Sequence, residues 1–323
     1  MKVIEIRAPG GPQVLTAGER ETPRPAPTQV LVQVKAAGVN GPDLVQRAGH
    51  YPPPKGASDL LGLEIAGTVA AVGSGVTSWR VGDHLCALTN GGGYAHYCAV
   101  NADHCLPIPG GLDFTAAASL PETFFTVWSN VFLPKRLPQG GVFLVHGGAG
   151  GIGSTAVQLG SALGARVFTT VADDAQAEFC HNLGAARTIN FREEDFVSVV
   201  RDEAGGADCV LDIIAGEYFE RNIKACRHDA SIVQLAFNGG AKVTTSLMPI
   251  MLKRLTYTGS TLRSRSDEFK AQVANELREH IWPLFENGRL RPMVGQALAL
   301  EQARAAHELM ESTTHLGKIV LTV

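Results

Sequence analysis

The sequence has no CxxC pair, no HExxH and no paired-histidine spacing, although it contains six cysteines and ten histidines. Cys86, Cys98, Cys105, Cys180, Cys209 and Cys226 are scattered. That pattern fits neither a disulfide framework nor a metal knuckle and reads as reduced, buried thiols. A run rich in Lys and Arg is also missing, and the 28 basic against 31 acidic residues leave a formal charge of -3. Without a basic stripe the long-range attraction to phosphate is absent, so no nucleic-acid partner is expected. There is no run of about 18 apolar residues, and the opening MKVIEIRAPGG is a short alternating strand without a leader's apolar core. A cytoplasmic protein with no membrane partner is the expectation.

What is present is a chain of 323 residues, 45% hydrophobic and 18% charged, long enough for two domains with substantial cores. Up to about residue 120 the strand signals are short, valine-rich and broken by glycine and proline, as in QVLVQVKAAGV (29–39), IAGTVAAVG (65–73) and VGDHLCAL (81–88). They predict a mainly β domain. From about residue 124, apolar runs alternate with helix-length segments: VFLV (142–145), RVFTTV (166–171), TIN (188–190), CVLDII (209–214), SIVQLA (231–236) and LTYTGS (255–260). Runs apolar throughout, separated by helices, predict a parallel sheet covered on both faces, and six of them predict a doubly wound dinucleotide fold. After residue 265 the pattern predicts one long amphipathic helix (DEFKAQVANELREHIWPLFENG), a shorter one (LEQARAAHELMES) and a closing strand, KIVLTV.

The stretch VHGGAGGIGSTAVQLGSALGA (145–165) carries the strongest chemical signal. Gly148, Ala149, Gly150, Gly151, Ile152 and Gly153 follow a buried strand and open a helix, the setting in which GxGxxG acquires meaning. The first glycine permits a tight turn and the second lets main chain approach a pyrophosphate. The third brings helix against strand, so that unpaired helix N–H groups face the negative charge. About 20 residues on lie Asp173 and Asp174, with no Lys or Arg before Arg187. A carboxylate there repels a 2′-phosphate and favours NAD(H), Arg192 in the next loop can reverse that choice, and the aspartates read equally well as an exposed turn. Further ligand contacts are expected at the strand ends, at Ile214, Leu235 and Phe237, and after the sixth strand at Leu262 and Arg263. The apolar strand LTYTGS is a potential sheet edge that a second copy would cover, giving a homodimer.

The order of these motifs resembles the zinc-independent quinone oxidoreductases of the medium-chain dehydrogenase/reductase superfamily, in their zeta-crystallin-like, tumour-suppressor-induced branch. The resemblance covers essentially the whole chain: AAGVNGPDLVQRAGHYPPPKGASDLLGLEIAGTVAAVG (36–73), GGGYAHYCAV (91–100), SLPETFFTVW (119–128), HGGAGGIGSTAVQL, LRSR (262–265) and GKIVL (317–321). It implies an α/β protein with a GroES-like, mainly β catalytic domain over 1–123, completed by 263–323, and a Rossmann NAD(P)-binding domain over 124–262. Where the zinc alcohol dehydrogenases of the superfamily carry a catalytic cysteine this chain has Asn40, and where they carry the histidine of GHE it has Leu63. The four-cysteine structural lobe is absent too, so no zinc is expected. Without a Lewis acid the acceptor must already be electron-poor, such as a quinone or an enone.

The resemblance implies NADP(H), with the nicotinamide in a cleft between the domains reached by Asn40 and Tyr51. Tyr51 would hydrogen-bond the acceptor oxygen, Asn40 would hold the carbonyl or a water, and Thr126 would support the carboxamide. Departures from the closer family bear on this. Gly41 replaces an arginine, Asp173 and Ala175 or Gln176 replace the serine and lysine that hold a 2′-phosphate, and Phe191 replaces a tyrosine. Lys318 keeps its family place in GKIVL without an assigned role. The competing readings are an enoyl or alkenal double-bond reductase and, in another class, a non-catalytic cofactor-binding protein of crystallin-like or RNA-binding type.

Overall fold

The computed structural model describes all 323 residues. Fifteen strands follow in chain order. The first seven are β1 (Lys2–Ile6), β2 (Leu15–Glu19), β3 (Gln29–Val39), β4 (Glu64–Val72), β5 (His84–Leu88), β6 (Tyr97–Asn101) and β7 (Cys105–Pro107). Next come β8 (Val142–Val145), β9 (Arg166–Val171), β10 (Arg187–Asn190), β11 (Ala207–Asp212), β12 (Cys226–Gln234) and β13 (Thr256–Gly259), and β14 (Val294–Ala299) and β15 (Lys318–Thr322) close the chain. The chain divides into two compact units, Met1–Phe125 with Leu262–Val323, and Thr126–Thr261. No helix is long and apolar enough to cross a membrane.

The first unit is built on a sheet ordered β14-β15-β3-β4-β5-β7, with β6 also paired to β3. β3 is long, bulged and almost entirely buried, which suits a strand with neighbours on both sides and a core against it. Its register with the C-terminal strand is antiparallel, Ile319 opposite Val39 and Thr322 opposite Ala36. The last residues therefore complete the sheet begun by the first forty. Val30, Val32, Val34, Leu61, Ile65, Leu85, Ile319 and Leu321 fill the core of this unit. The segment predicted as one long helix is helical without a break from Asp267 to Glu286, with a wider turn at Leu277–Ile281 between the regular stretches Asp267–Glu276 and Trp282–Glu286. Pro283 is the physical reason: it has no N–H to donate, and its ring crowds the carbonyl one turn back, so the helix loosens before it.

The second unit is a six-stranded sheet ordered β10-β9-β8-β11-β12-β13, every pairing parallel. Numbered within the unit this is 3-2-1-4-5-6, the doubly wound order whose direction of winding reverses between β8 and β11. β8 is buried at all four positions and β9 at five of six, in keeping with helices on both faces. Phe143, Phe168 and Phe196 are completely buried. Side chains of this size each contribute roughly 1.5–3 kcal/mol on leaving water. Four strands differ in extent from the sequence reading, β10 and β13 by single residues at their ends and β11 and β12 by more. β11 ends at Asp212, leaving Ile213 and Ile214 in the following turn, and β12 starts at Cys226 and stops at Gln234. The aspartate is the cause of the first difference, because its Oδ1 accepts the N–H groups of Ile214 and Ala215 and turns the chain away from the ladder.

Candidate active site

In the second unit, the turn after β8 is shaped by glycines in two different ways. Gly147 has φ +68°, in the left-handed region. A Cβ on Gly148 would lie 2.1 Å from Thr169 Oγ1, and one on Gly153 would lie 2.1 Å from the Gly147 carbonyl oxygen. The protein's own packing forbids side chains at both. Gly150 is unlike them: a Cβ there would meet nothing nearer than the Gly147 oxygen at 3.7 Å, and its φ of -78° suits any residue. The space beside Gly150 is therefore not required by the fold. Gly150 is the N-cap of the helix Gly151–Ala162, whose leading N–H groups have no carbonyl one turn back to bond. Ala149 is buried and Ile152 partly buried.

The other predicted contacts in this unit gather at the carboxyl ends of the strands. Leu235 N–H donates to the Asp212 carbonyl, and Gly239 N–H to that of Ile214, so the loops after β11 and β12 are laced together. Ile214 and Leu235 are partly buried and Phe237 is 54% exposed. Thr126 is buried, and its carbonyl accepts from Asn130 Nδ2 at 2.9 Å. Asp173 is the N-cap of the helix Asp174–Asn182, its Oδ1 taking the Gln176 N–H at 2.9 Å. Arg192 is exposed, with its guanidinium 5.8 Å from the Phe191 ring centroid. Asn190 pairs with Val171 in the sheet, so Arg192 and Asp173 each stand two residues beyond one rung of the ladder.

In the first unit, Asn40 is buried and fully engaged. Its Nδ2 donates to Glu64 Oε1 at 3.0 Å and to the Gly38 carbonyl at 3.4 Å, while its Oδ1 accepts from Lys318 Nζ at 2.5 Å. The same ammonium lies 2.6 Å from Glu64 Oε1 and 3.2 Å from the Val39 carbonyl. The second carboxylate oxygen of Glu64 accepts the Glu122 N–H at 2.9 Å. Gly38 makes room for this carboxylate, since a Cβ there would stand 2.0 Å from Glu64 Oε1. Tyr51 is half-buried, and burial raises its phenol above the ordinary value against the opposing pull of Arg263. The Arg263 guanidinium is 5.5 Å from the Tyr51 ring centroid. It is itself buried, donating from Nε and Nη2 to the Asn90 carbonyl and from Nη1 to Gln46 Oε1 at 2.6 Å. Leu262, which precedes it, is partly buried.

Two clusters escaped the sequence reading. Glu64 was not singled out, although an acidic residue opening an apolar strand, two residues after Gly62, is a signal of a buried partner. His146, directly before the glycine turn, was passed over as well. Its ring joins Thr170 and Asn222 in a buried polar chain.

Residues 26–110 match the alcohol dehydrogenase GroES-like domain, and residues 151–279 match the zinc-binding dehydrogenase family. The quinone oxidoreductase of Rattus norvegicus is 30% identical over 327 residues, spanning 99% of this chain and 97% of that protein. The chain belongs to the quinone oxidoreductases of the medium-chain dehydrogenase/reductase superfamily. Among solved structures, the Escherichia coli quinone oxidoreductase complexed with NADPH superposes with a TM-score of 0.88 at 30% identity, covering 100% of both chains. An NAD-dependent alcohol dehydrogenase superposes with a TM-score of 0.89 at 31% identity, again over 100% of both.

The zinc in the second family's description was tested against the residues of this quinone oxidoreductase. The two positions aligned with metal ligands hold an amide, Asn40, and a buried aliphatic side chain, Leu63. The one carboxylate beside them, Glu64, is already paired with the Lys318 ammonium. A dication would meet no thiolate or imidazole there and would stand against a fixed positive charge, so these residues do not fit zinc.

Proposed function

We propose that this chain is a zinc-independent NAD(P)H-dependent quinone oxidoreductase, passing hydride or electrons to a quinone or a similar conjugated carbonyl. The observation that carries the reading is the space beside Gly150, which the fold leaves clear although nothing in its own packing requires a glycine. A diphosphate laid there meets the leading N–H groups of the helix Gly151–Ala162 and the positive end of that helix. When bound, the dinucleotide supplies the hydride. Thr126, Ile214, Leu235 and Phe237 of the same unit complete its binding surface, with Thr126 at the carboxamide.

For Tyr51 we infer the part of hydrogen-bond donor to the acceptor oxygen as charge gathers on it, since its phenol stays protonated at neutral pH. Arg263 orients Tyr51 from its seat on Asn90 and Gln46. Asn40 acts as a positioning residue, since its amide is spent on Glu64, Gly38 and Lys318. No strong general acid is needed for an activated acceptor, because holding two reactants at near-attack distance contributes about 7–11 kcal/mol.

Both dinucleotides are taken as donors. The exposed Asp173 carboxylate repels a 2′-phosphate and favours NADH, while Arg192 on the neighbouring strand end favours NADPH. A homodimer through β13 is part of the same proposal: β13 is the edge of its sheet, and Leu247, Met248, Met251, Leu252 and Tyr257 are 44–69% exposed near it in sequence.

The test is turnover of 1,2-naphthoquinone and of a 2-alkenal, with NADPH and NADH in turn. Quinone turnover is the expected result. Turnover of the alkenal alone reassigns the chain to a double-bond reductase, and binding without turnover of either reassigns it to a non-catalytic role.

A further inference from the structure

Five polar groups in the second unit form a single directed line. The Asn222 Nδ2 donates to Asp212 Oδ2 at 2.9 Å, so its amide oxygen is an acceptor, and that oxygen lies 2.7 Å from His146 Nε2. Nε2 must then carry the proton. In a neutral ring Nδ1 is left as the acceptor, and it stands 3.2 Å from Thr170 Oγ1. The Thr170 hydroxyl spends its hydrogen on Nδ1 and accepts the Gly147 N–H at 3.1 Å. Every member is buried or part of the glycine turn, and every donor has one acceptor.

The two ends of this line are the two loops assigned above to the dinucleotide. One end fixes Gly147, which opens the glycine turn in its left-handed conformation. The other end is Asp212, whose remaining oxygen holds the N–H groups of Ile214 and Ala215, the latter at φ +60° without being glycine. A backbone strained in this way persists only where its surroundings hold it. Phe196 and Tyr218 enclose the imidazole at 4.8 and 4.9 Å between ring centroids and keep water from substituting for a lost partner.

We propose that His146, neutral and protonated on Nε2, is a positioning residue that sets the glycine turn and the loop after β11 in register for the dinucleotide, with Thr170 and Asn222 as its two couplers. The inference rests on the nucleotide reading given above. Protonation of the ring places a second donor against Thr170, whose hydroxyl hydrogen must then leave Nδ1 and lose its acceptor, which weakens the hold on Gly147. The charged and titratable groups facing the imidazole are Asp212 on β11 and Arg221 and Tyr218 on the helix Tyr218–Ala225. Burial pushes the imidazole below its ordinary value, with Asp212 opposing and Arg221 assisting. The neutral form is accordingly the working form at neutral pH.

The test is calorimetric binding of NAD⁺ to the full chain between pH 5 and 7.5, a range in which its phosphodiester does not titrate. Thr170→Val keeps the shape and removes the hydroxyl, and is expected to weaken binding about tenfold while kcat at saturating nucleotide changes less than twofold. Thr170→Ser restores the hydroxyl and is expected to recover the affinity to within about twofold. In the unaltered chain affinity falls on acidification, and in Thr170→Val that pH dependence is lost. Equal NAD⁺ affinity in Thr170→Val and the unaltered chain overturns the inference. If Thr170→Val does not fold, the same comparison is made with Thr170→Ala, and NAD⁺ affinity equal to that of the unaltered chain overturns it. An unaltered chain that takes up neither NAD⁺ nor NADPH overturns the nucleotide reading and this inference with it.

Discussion

The Lys318 ammonium is held 2.6 Å from the Glu64 carboxylate, both side chains almost wholly removed from water, with the Asn40 amide bonded to each. Desolvating two such groups costs several kcal/mol apiece, and the hydrogen bonds to Val39, Asn40 and Glu122 offset part of it. Removing one partner therefore costs far more than the pair contributes. Lys318→Met is expected to lower stability by about 3–5 kcal/mol, and Lys318→Met with Glu64→Gln by clearly less than the sum of the two single changes. Chemical denaturation of the three variants checks this. A loss under about 1 kcal/mol in Lys318→Met contradicts the buried pair.

Gly150→Ala separates folding from binding. The new methyl meets no protein atom closer than 3.7 Å and its backbone is ordinary, so the gain from a stiffer unfolded chain offsets alanine's poorer fit at an N-cap and stability changes by less than about 1 kcal/mol. Affinity for NADH and NADPH falls about tenfold, about 1.4 kcal/mol, because the methyl occupies the space kept for the diphosphate. Thermal unfolding and nucleotide titration report the two effects, and unchanged affinity would sink the assignment of that space.

Asp173→Ser tests the choice of dinucleotide. Serine is an equally good N-cap, so the helix Asp174–Asn182 keeps its Gln176 contact and stability is unaffected. The carboxylate's repulsion of a 2′-phosphate disappears. The ratio of NADPH to NADH affinity is expected to rise about tenfold, roughly 1.4 kcal/mol. A strong NADPH preference in the unaltered chain would refute the part given to Asp173.

His307 gives the stability curve a predictable slope. Tyr94 Oη and Arg47 Nη1 lie 3.1 Å from its two ring nitrogens, and burial, assisted by Arg47, pushes it down to about 3. A depressed imidazole contributes stability that is complete above about pH 6.5 and lost as pH falls, about 2 kcal/mol between pH 7 and 5. Asp43, which burial pushes up to about 6, works in the opposite direction: the folded chain takes up its proton first, a gain of about 1 kcal/mol over the same interval. His307→Gln removes only the first effect. The stability difference between the unaltered chain and His307→Gln should shrink by about 2 kcal/mol from pH 7 to 5, as denaturation at the two pH values will show.

Much of the second unit could be read without coordinates. VFLV and RVFTTV match β8 and β9 to the residue, the first apolar and buried at every position, the second rich in β-branched side chains and buried at five of six. The glycine turn was equally legible, since the steric demand of main chain against main chain is written in the missing side chains. β14 was missed because GQALA is largely exposed and carries neither alternation nor a β-branched run. The long C-terminal helix was legible, but the wider turn that Pro283 imposes inside it was not, because a lost hydrogen bond leaves the apolar periodicity intact.

By itself, then, the sequence determined the strand and helix succession of the second unit, the place of the glycine turn and the loss of the metal-ligand residue types, all of which follow from local sterics and residue chemistry. Only the tertiary structure decided which polar groups meet. Asn40 and Lys318 are 278 residues apart and become neighbours because Ile319 pairs with Val39 across the sheet. His146 acquires its partners because three parallel strands and a helix end at one level. Hydrogen bonds are satisfied at about 3 Å in space, and no pattern along the chain records a distance that closure of a sheet creates.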